Sequence, residues 1–448
     1  MARALPKNAV GLLALVVTLG SVGCGDSSPS PDPSATPAGR WVGAQPIGNP
    51  PEPKPNCSLG LSPALAMDAR GGATAAWLSD CSIWVARYEP VQGWLRPEIV
   101  GSLPVGAPAN WIWEPALAVN EAGATLVVWT TQVTAGAGNR QVWARTWESA
   151  SGWSAADRIG DREPGPGSEI DNVKAALDPN GNGLVIWGSD GIVAVRRVAG
   201  SGWTAAERLS LGISEFNPNV FLDASGRGFA VWNETQTAVV ARFDPITGWE
   251  APIRFGNEDG WSFGGPGRLA FDRDGRAVLV WNRSRGRLQP SSIWSTTFDR
   301  GVWATWMAIS APGAVQDPHV GLVSTGAGLA AWSDTAGPFF ARREAVGWGS
   351  AGAVVPASGM DPQALDLAVN EEADGILAWS RTSEPRVGIE VSRYANGRWT
   401  AAETIRAGTS SRHPAAALDG CGNAIVVWSE YEGETVRIWA NRFDAACR

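Results

Sequence analysis

Two stretches of this chain place tryptophan directly beside acidic residues. Trp111 and Trp113 precede Glu114, and Glu258 and Asp259 precede Trp261. Indoles beside acceptors suit the flat face of a sugar ring, or an apolar patch on a protein, with polar groups fixing orientation. Packing of the longer loops on themselves is the structural alternative. Asp317, His319 and Asp361 form a second polar group further along. Carboxylates are numerous enough that some pair could meet the 5–10 Å separation of glycoside hydrolysis. Metal chemistry has little to stand on: His319 and His413 are the only two histidines, and no cysteine–histidine cluster of zinc spacing exists. No cofactor is expected.

These residues sit between the units of a repeat. Eight times a tryptophan falls nine residues after a turn position: Asp68/Trp77, Asn120/Trp129, Asp178/Trp187, Asp223/Trp232, Asp272/Trp281, Val323/Trp332, Asn370/Trp379 and Asp419/Trp428. In seven units Gly follows the turn position by three, supplying the positive φ of a tight hairpin whose start Asp or Asn can cap. Successive units are 45 to 58 residues apart, a period of propeller blades. Each unit reads as four strands, A to D. B ends on the tryptophan, C ends on an arginine in seven units (Arg87, Arg145, Arg196, Arg242, Arg342, Arg393, Arg442), and D opens on a second tryptophan. The last unit stops after its C strand, while Gly39-Arg40-Trp41 matches Gly397-Arg398-Trp399, the start of a D strand. The expected fold is therefore all-β: an eight-bladed propeller of four antiparallel strands per blade, closed by the N-terminal strand joining the C-terminal blade. Sixteen of the 25 tryptophans occupy repeat positions and are expected between neighbouring sheets. The strand-C arginines are expected to pair with turn carboxylates rather than to clamp a substrate.

In such a blade the D–A and B–C loops share one face. Polar residues entering strand A point to its channel mouth: Glu114, Asp171, Asn217, Asn219, Asp317, His319, Asp361, Gln363 and His413. Asp80, Asp190, Glu234, Asp334, Glu384 and Glu430 follow the strand-B tryptophans, so this face is expected to be acidic. It reads either as a mouth for a cation or sugar, or as a solvated face that prevents discs from stacking. Cys57 and Cys81 fall on this face, Cys421 and Cys447 on the other. Bridges Cys57–Cys81 and Cys421–Cys447 would staple the chain ends, each worth roughly 2–4 kcal/mol.

Residues 1–23 read as an export signal, with Arg3 and Lys7 ahead of an apolar run. Ser21-Val22-Gly23-Cys24 resembles the lipobox of bacterial lipoproteins, with Ser21 where that family has Leu; residues 24–39 then form a lipidated cysteine and a Pro/Ser-rich tether. Gly25 rather than Asp after the cysteine implies, by the same resemblance, the outer membrane. Residues 40–448 form the propeller. A net charge of −8 argues against nucleic acid as partner. A monomer is expected.

The turn-and-tryptophan repeat also resembles, loosely, the Asp box of sialidase-like propellers, although here the order is Asp-x-x-Gly with a longer run to Trp. A sialidase uses an arginine triad and a tyrosine supported by glutamate. Tyr431, between Glu430 and Glu432, and the scattered Arg283, Arg285 and Arg381 are what this sequence offers. Eight-bladed quinoprotein dehydrogenases carry Gly four residues before Trp; here the separation is six, and no adjacent cysteine pair is present. The expectation is a non-catalytic, lipid-anchored binding or scaffold module for a protein or glycan. A sialidase-like hydrolase acting on the D–A/B–C face is the alternative.

Overall fold

A computed structural model describes residues 39–48, 62–103, 111–113, 115–132, 140–161, 170–212, 215–234, 237–255, 262–263, 267–272, 274–284, 290–345, 347–356, 362–381, 387–408, 410–432 and 435–445. Local structure starts at the turn residue. Asp178 Oδ1 accepts the N–H groups of Asn180 at 2.9 Å and Asn182 at 2.8 Å. Asp68, Asn120, Asp223, Asp272, Asn370 and Asp419 make the same pair of bonds. The third residue on is left-handed in each, as at Gly181 (φ 82°) and at Ala373 (φ 61°), which replaces glycine in the seventh unit. Val323 has no side chain to offer, and its hairpin closes through the backbone bonds Gly326 N–H to Val323 O and Val323 N–H to Ala327 O. The side chain thus satisfies two turn donors that would otherwise need water.

Every hairpin so closed belongs to one of eight antiparallel sheets ordered A-B-C-D. In the third, the strands are Asp171–Leu177, Gly183–Gly188, Ile192–Val198 and a D strand in two pieces, Gly202–Trp203 and Glu207–Arg208. The eighth has strands A to C at Ser410–Leu418, Ala424–Glu432 and Thr435–Asp444. Its D strand comes from the other end of the chain: Arg40 pairs with Asp444, Trp41 with Phe443, Gln45 with Ala440 and Pro46 with Trp439. The Trp41 and Phe443 rings meet edge-on at 5.5 Å.

The core is divided into eight clusters, one per blade interface. Each strand-B tryptophan packs against the preceding sheet: Trp129 on Ala76, Leu78, Ile83 and Val85; Trp187 on Leu126 and Val128; Trp428 on Ile376, Ala378 and Val391. Trp77 completes the cycle with Ile425, Val427, Ile438 and Ile47 of the closing strand. The chain is therefore an eight-bladed β-propeller. Gly101 and Gly160 lie where the next tryptophan presses; a Cβ at Gly160 would stand 2.6 Å from the Trp187 ring. The strand-D tryptophans are different: they are half-buried at the rim, and Trp153 and Trp203 donate to Glu98 and Asp157 of the preceding blade.

The strand-C arginines, expected to pair with turn carboxylates of the same or an adjacent blade, do so among the described residues only within their own blade. Their main inter-blade partners are aromatic rings, not turn carboxylates. Arg87 stacks on Trp147 at 3.9 Å, Arg393 on Phe443 at 3.8 Å and Arg442 toward Tyr88 at 5.5 Å, each in the following blade. Where they meet carboxylates, as in Arg242–Glu250 and Arg442–Asp444, the acid belongs to the C–D hairpin. The turn Asp side chains are already committed to their own backbone.

Candidate functional site

Strand A runs along the axis of the ring, and near its start five blades carry a register shift. The irregularities lie at Asp171/Lys174, Phe216/Asn219, Gln316/His319, Gln363/Asp366 and Arg412/Ala415. A left-handed residue sits inside each: Asn172, Asn217, Asp317, Ala364 and His413, with φ of 49–55°. Pro218, Pro318 and Pro414 follow three of them, as fits residues with no N–H for a ladder. In blades two and five strand A is instead broken at the same place, into Trp111–Ile112 and Ala116–Val119, and into Ser262–Phe263 and Arg268–Phe271. Bulges re-aim side chains. Beyond this point one residue per blade, four before the turn residue, takes the equivalent place in strand A, and six of the eight line an axial cavity.

Those eight residues are Ala64, Ala116, Lys174, Asn219, Arg268, His319, Asp366 and Ala415. They are not mixed at random. Blades three to seven supply a continuous polar arc, and blades eight, one and two supply alanine. A cavity of about 470 Å³ opens here, lined by Ala64, Lys174, Arg268, His319, Asp366 and Ala415 together with Asp317, His413 and Trp113. Trp113 stands on the alanine side, its backbone N–H bonded to Thr130 O at 3.1 Å. The Arg140 guanidinium lies over its ring at 4.1 Å and donates to Ile170 O at 2.8 Å. One face of the indole is thereby fixed by its neighbour.

His319 is the most enclosed member of the arc, 8% exposed. It lies between two carboxylates: Nε2 is 3.5 Å from Asp317 Oδ1, and Nδ1 is 3.4 Å from Asp366 Oδ1. Asp366 Oδ2 accepts the Ala416 N–H of the next blade at 2.8 Å. Burial lowers the His319 pKa, but the flanking Asp317 and Asp366 carboxylates outweigh that and leave it above the ordinary histidine value. Burial raises Asp317, whereas its bonding to His319 and the nearby charge of Arg268 leave it below the usual carboxylate value.

The pair therefore bounds stability on both sides. A raised histidine stabilises fully below its unfolded pKa, and this is lost as pH climbs from about 6.5 through the higher folded value. A depressed aspartate stabilises above its unfolded pKa and loses that as pH falls through the lower folded value. We expect urea midpoints of wild type to decline above about pH 6.5, and His319→Gln to remove this alkaline decline. An unchanged slope in the variant would show that other groups set it.

The sequence expectations divide as follows. Trp113, Asp317, His319 and His413 converge on one cavity. Trp111 is in a short strand paired with Gln132, so it extends strand A rather than lying in a loop as expected. Glu114, Glu258, Asp259, Trp261 and Asp361 lie outside the described residues, as do Cys24, Cys57 and Cys447. Cys81 is disulfide-bonded and Cys421 is exposed in its turn. The mouth is not simply acidic, because Lys174 and Arg268 join it. Lys174 and Asp366 were missed because a bulge reverses the in–out alternation behind it, and Arg268 because its strand is broken just before it. Aligning the units on the turn residue, four positions on, would have found them.

The sialidase-like set does not assemble among the described residues. Glu430 is buried and held by Arg406 at 2.6 Å, Arg412 lies over the Tyr431 ring, Arg381 faces Glu390 at 3.5 Å, and Arg283 stacks on Trp294. None of Tyr431, Glu430, Arg283 and Arg381 lines the axial cavity. A larger groove, about 630 Å³, lies on the opposite face between blades four and five. Its charges are matched internally, with Arg276 reaching Asp272, Asp274 and Asp299 within 3.4 Å. We regard the axial mouth as the stronger candidate.

No family model matches the chain, and no curated protein matches it. Among solved structures it is similar to the polysaccharide lyase Uly1, at 9% identity and TM-score 0.49, covering 89% of this chain and 92% of that one. It is also similar to the NanB sialidase from Streptococcus pneumoniae, at 10% identity and TM-score 0.43, covering 89% and 70%. A third is α-L-arabinanase from Penicillium chrysogenum, at 10% identity and TM-score 0.44, covering 91% and 99%. Likenesses at this level carry no argument about activity.

Proposed function

We propose that this chain is a lipid-anchored envelope protein whose propeller is a non-catalytic binding module, taking a glycan at the axial mouth. The observation that carries the reading is the division of the mouth into a polar arc, Lys174 to Asp366, facing an alanine arc with Trp113 beside it. A sugar ring has the matching duality: hydroxyls at its edge and an apolar C–H face that stacks on indole. A wholly protein partner would more often engage a raised apolar patch than a recessed axial cavity. The lipobox at Cys24 and the tether to residue 39 support anchoring at the outer membrane. The bonded state of Cys81 supports a bridge to Cys57. The hydrolase alternative is disfavoured because, among the described residues, Tyr431, Arg283 and Arg381 are engaged elsewhere; Arg285 lies outside them.

A glycan array on the soluble propeller tests this. We expect binding to a restricted set of glycans, weakened about 10- to 30-fold by Trp113→Ala, as for loss of an interface anchor. Binding untouched by that substitution, or release of reducing sugar from a bound glycan, would remove the proposal.

A further inference from the structure

Arg268 and His319 sit on adjacent blades of the polar arc and share one feature at the cavity. The Arg268 Nε and the His319 Nε2 are both buried, and neither has a hydrogen-bond acceptor among the described residues. The Asp317 carboxylate stands 3.5 Å from His319 Nε2, close enough for charge attraction but too far for a well-formed hydrogen bond. Both side chains line the axial cavity. Buried donors in native proteins are overwhelmingly paired, and leaving one without an acceptor is costly. The charges at the mouth point the same way. Among the described lining residues the carboxylates are Asp317 and Asp366, and one oxygen of Asp366 is already committed to the Ala416 N–H.

Resting on the glycan reading above, we propose that the polar arc is an oxyanion subsite, in which Arg268 and His319 donate to a carboxylate, sulfate or phosphate group of the ligand. The alanine arc and Trp113 then receive the uncharged ring that carries this group. The groups facing His319 are Asp317 on its own strand, Asp366 on the next blade and Arg268 on the preceding one; Lys174 and His413 also line the cavity. Deprotonation of His319 at rising pH removes one positive charge beside the anion and weakens its binding.

Calorimetry on the full propeller at constant ionic strength and pH 6 tests the idea with three probes: methyl β-D-glucuronide, methyl β-D-glucoside and inorganic phosphate. The two glycosides differ only in the carboxylate. We expect the glucuronide to bind about tenfold or more tightly than the glucoside, as for a charge-assisted hydrogen bond. Arg268→Met should abolish that preference, Arg268→Lys should keep part of it, and a shift to pH 9 should weaken the glucuronide alone. Thermal unfolding of both variants at the wild-type midpoint excludes a folding defect. Equal affinity for the two glycosides would overturn the oxyanion subsite while leaving the glycan reading intact. Phosphate binding that Arg268→Met abolishes, with neither glycoside bound, would sustain the subsite and discard the glycan reading. Binding of none of the three would discard both.

Discussion

Deleting residues 39–47 is expected to destabilise the propeller more than any single substitution. The segment supplies the fourth strand of the eighth blade, and with it go the Arg40–Asp444 and Pro46–Trp439 register and the Trp41–Phe443 contact. Ile47, 5% exposed, is also lost from the cluster joining blades eight and one. Removing a buried Ile and a packed Trp costs on the order of 5 kcal/mol or more. The strand Thr435–Asp444 would then present a long open edge, a template for pairing with other chains. Urea unfolding should show a much lower midpoint and size-exclusion chromatography should show aggregates. A synthetic peptide spanning 39–48 should restore part of the midpoint in trans. A deletion variant as stable and monodisperse as wild type would mean that the closing strand is dispensable.

The second large effect concerns the wedge tryptophans. Trp232 is fully buried against the third blade, so Trp232→Ala is expected to cost about 3–5 kcal/mol. Trp203→Ala, at the half-buried rim, should cost less than half of that. The phenylalanine variants separate two sources of the energy. The Trp232 Nε1 has no acceptor among the described residues, so Trp232→Phe removes a buried unpaired donor along with some volume, and these partly cancel. Trp379 Nε1, in contrast, donates to Glu390 Oε2 at 3.1 Å within the sheet. Trp379→Phe strips a donor from a buried carboxylate, and is expected to lose about 1–3 kcal/mol more than Trp232→Phe. Equal losses in denaturant midpoints would mean that the hydrogen bond contributes nothing net.

The architecture could be read in the sequence because its signals are local and repeated eight times. An Asp that caps a turn, a Gly that takes a left-handed φ and a Trp at fixed distance each follow from short-range geometry. Even closure was readable, since Gly39-Arg40-Trp41 repeats a D-strand opening that the last unit lacks. The mouth was less accessible for a physical reason. Counting alternate residues into strand A works only while the pleat is regular, and the bulges at Asn172, Asp317, Ala364 and His413 shift the parity. Asp317, His319 and His413 were found on chemistry; Lys174 and Asp366 were hidden behind the reversal, and Arg268 behind the break in its strand. The arginine partners were missed because the rings they cover belong to the next blade, some fifty residues on, and no local spacing encodes that contact. The rim position of the strand-D tryptophans follows from sheet order: strand D is outermost, where a blade diverges from its neighbour.

The central claim is that recognition occurs on the axis, between the polar arc and Trp113. A crystal structure of the propeller with a glycan selected on the array tests it most directly. The sugar is expected in the cavity, stacked on Trp113, with its polar edge toward Arg268 and His319. A glycan held instead in the groove between blades four and five on the opposite face would contradict it.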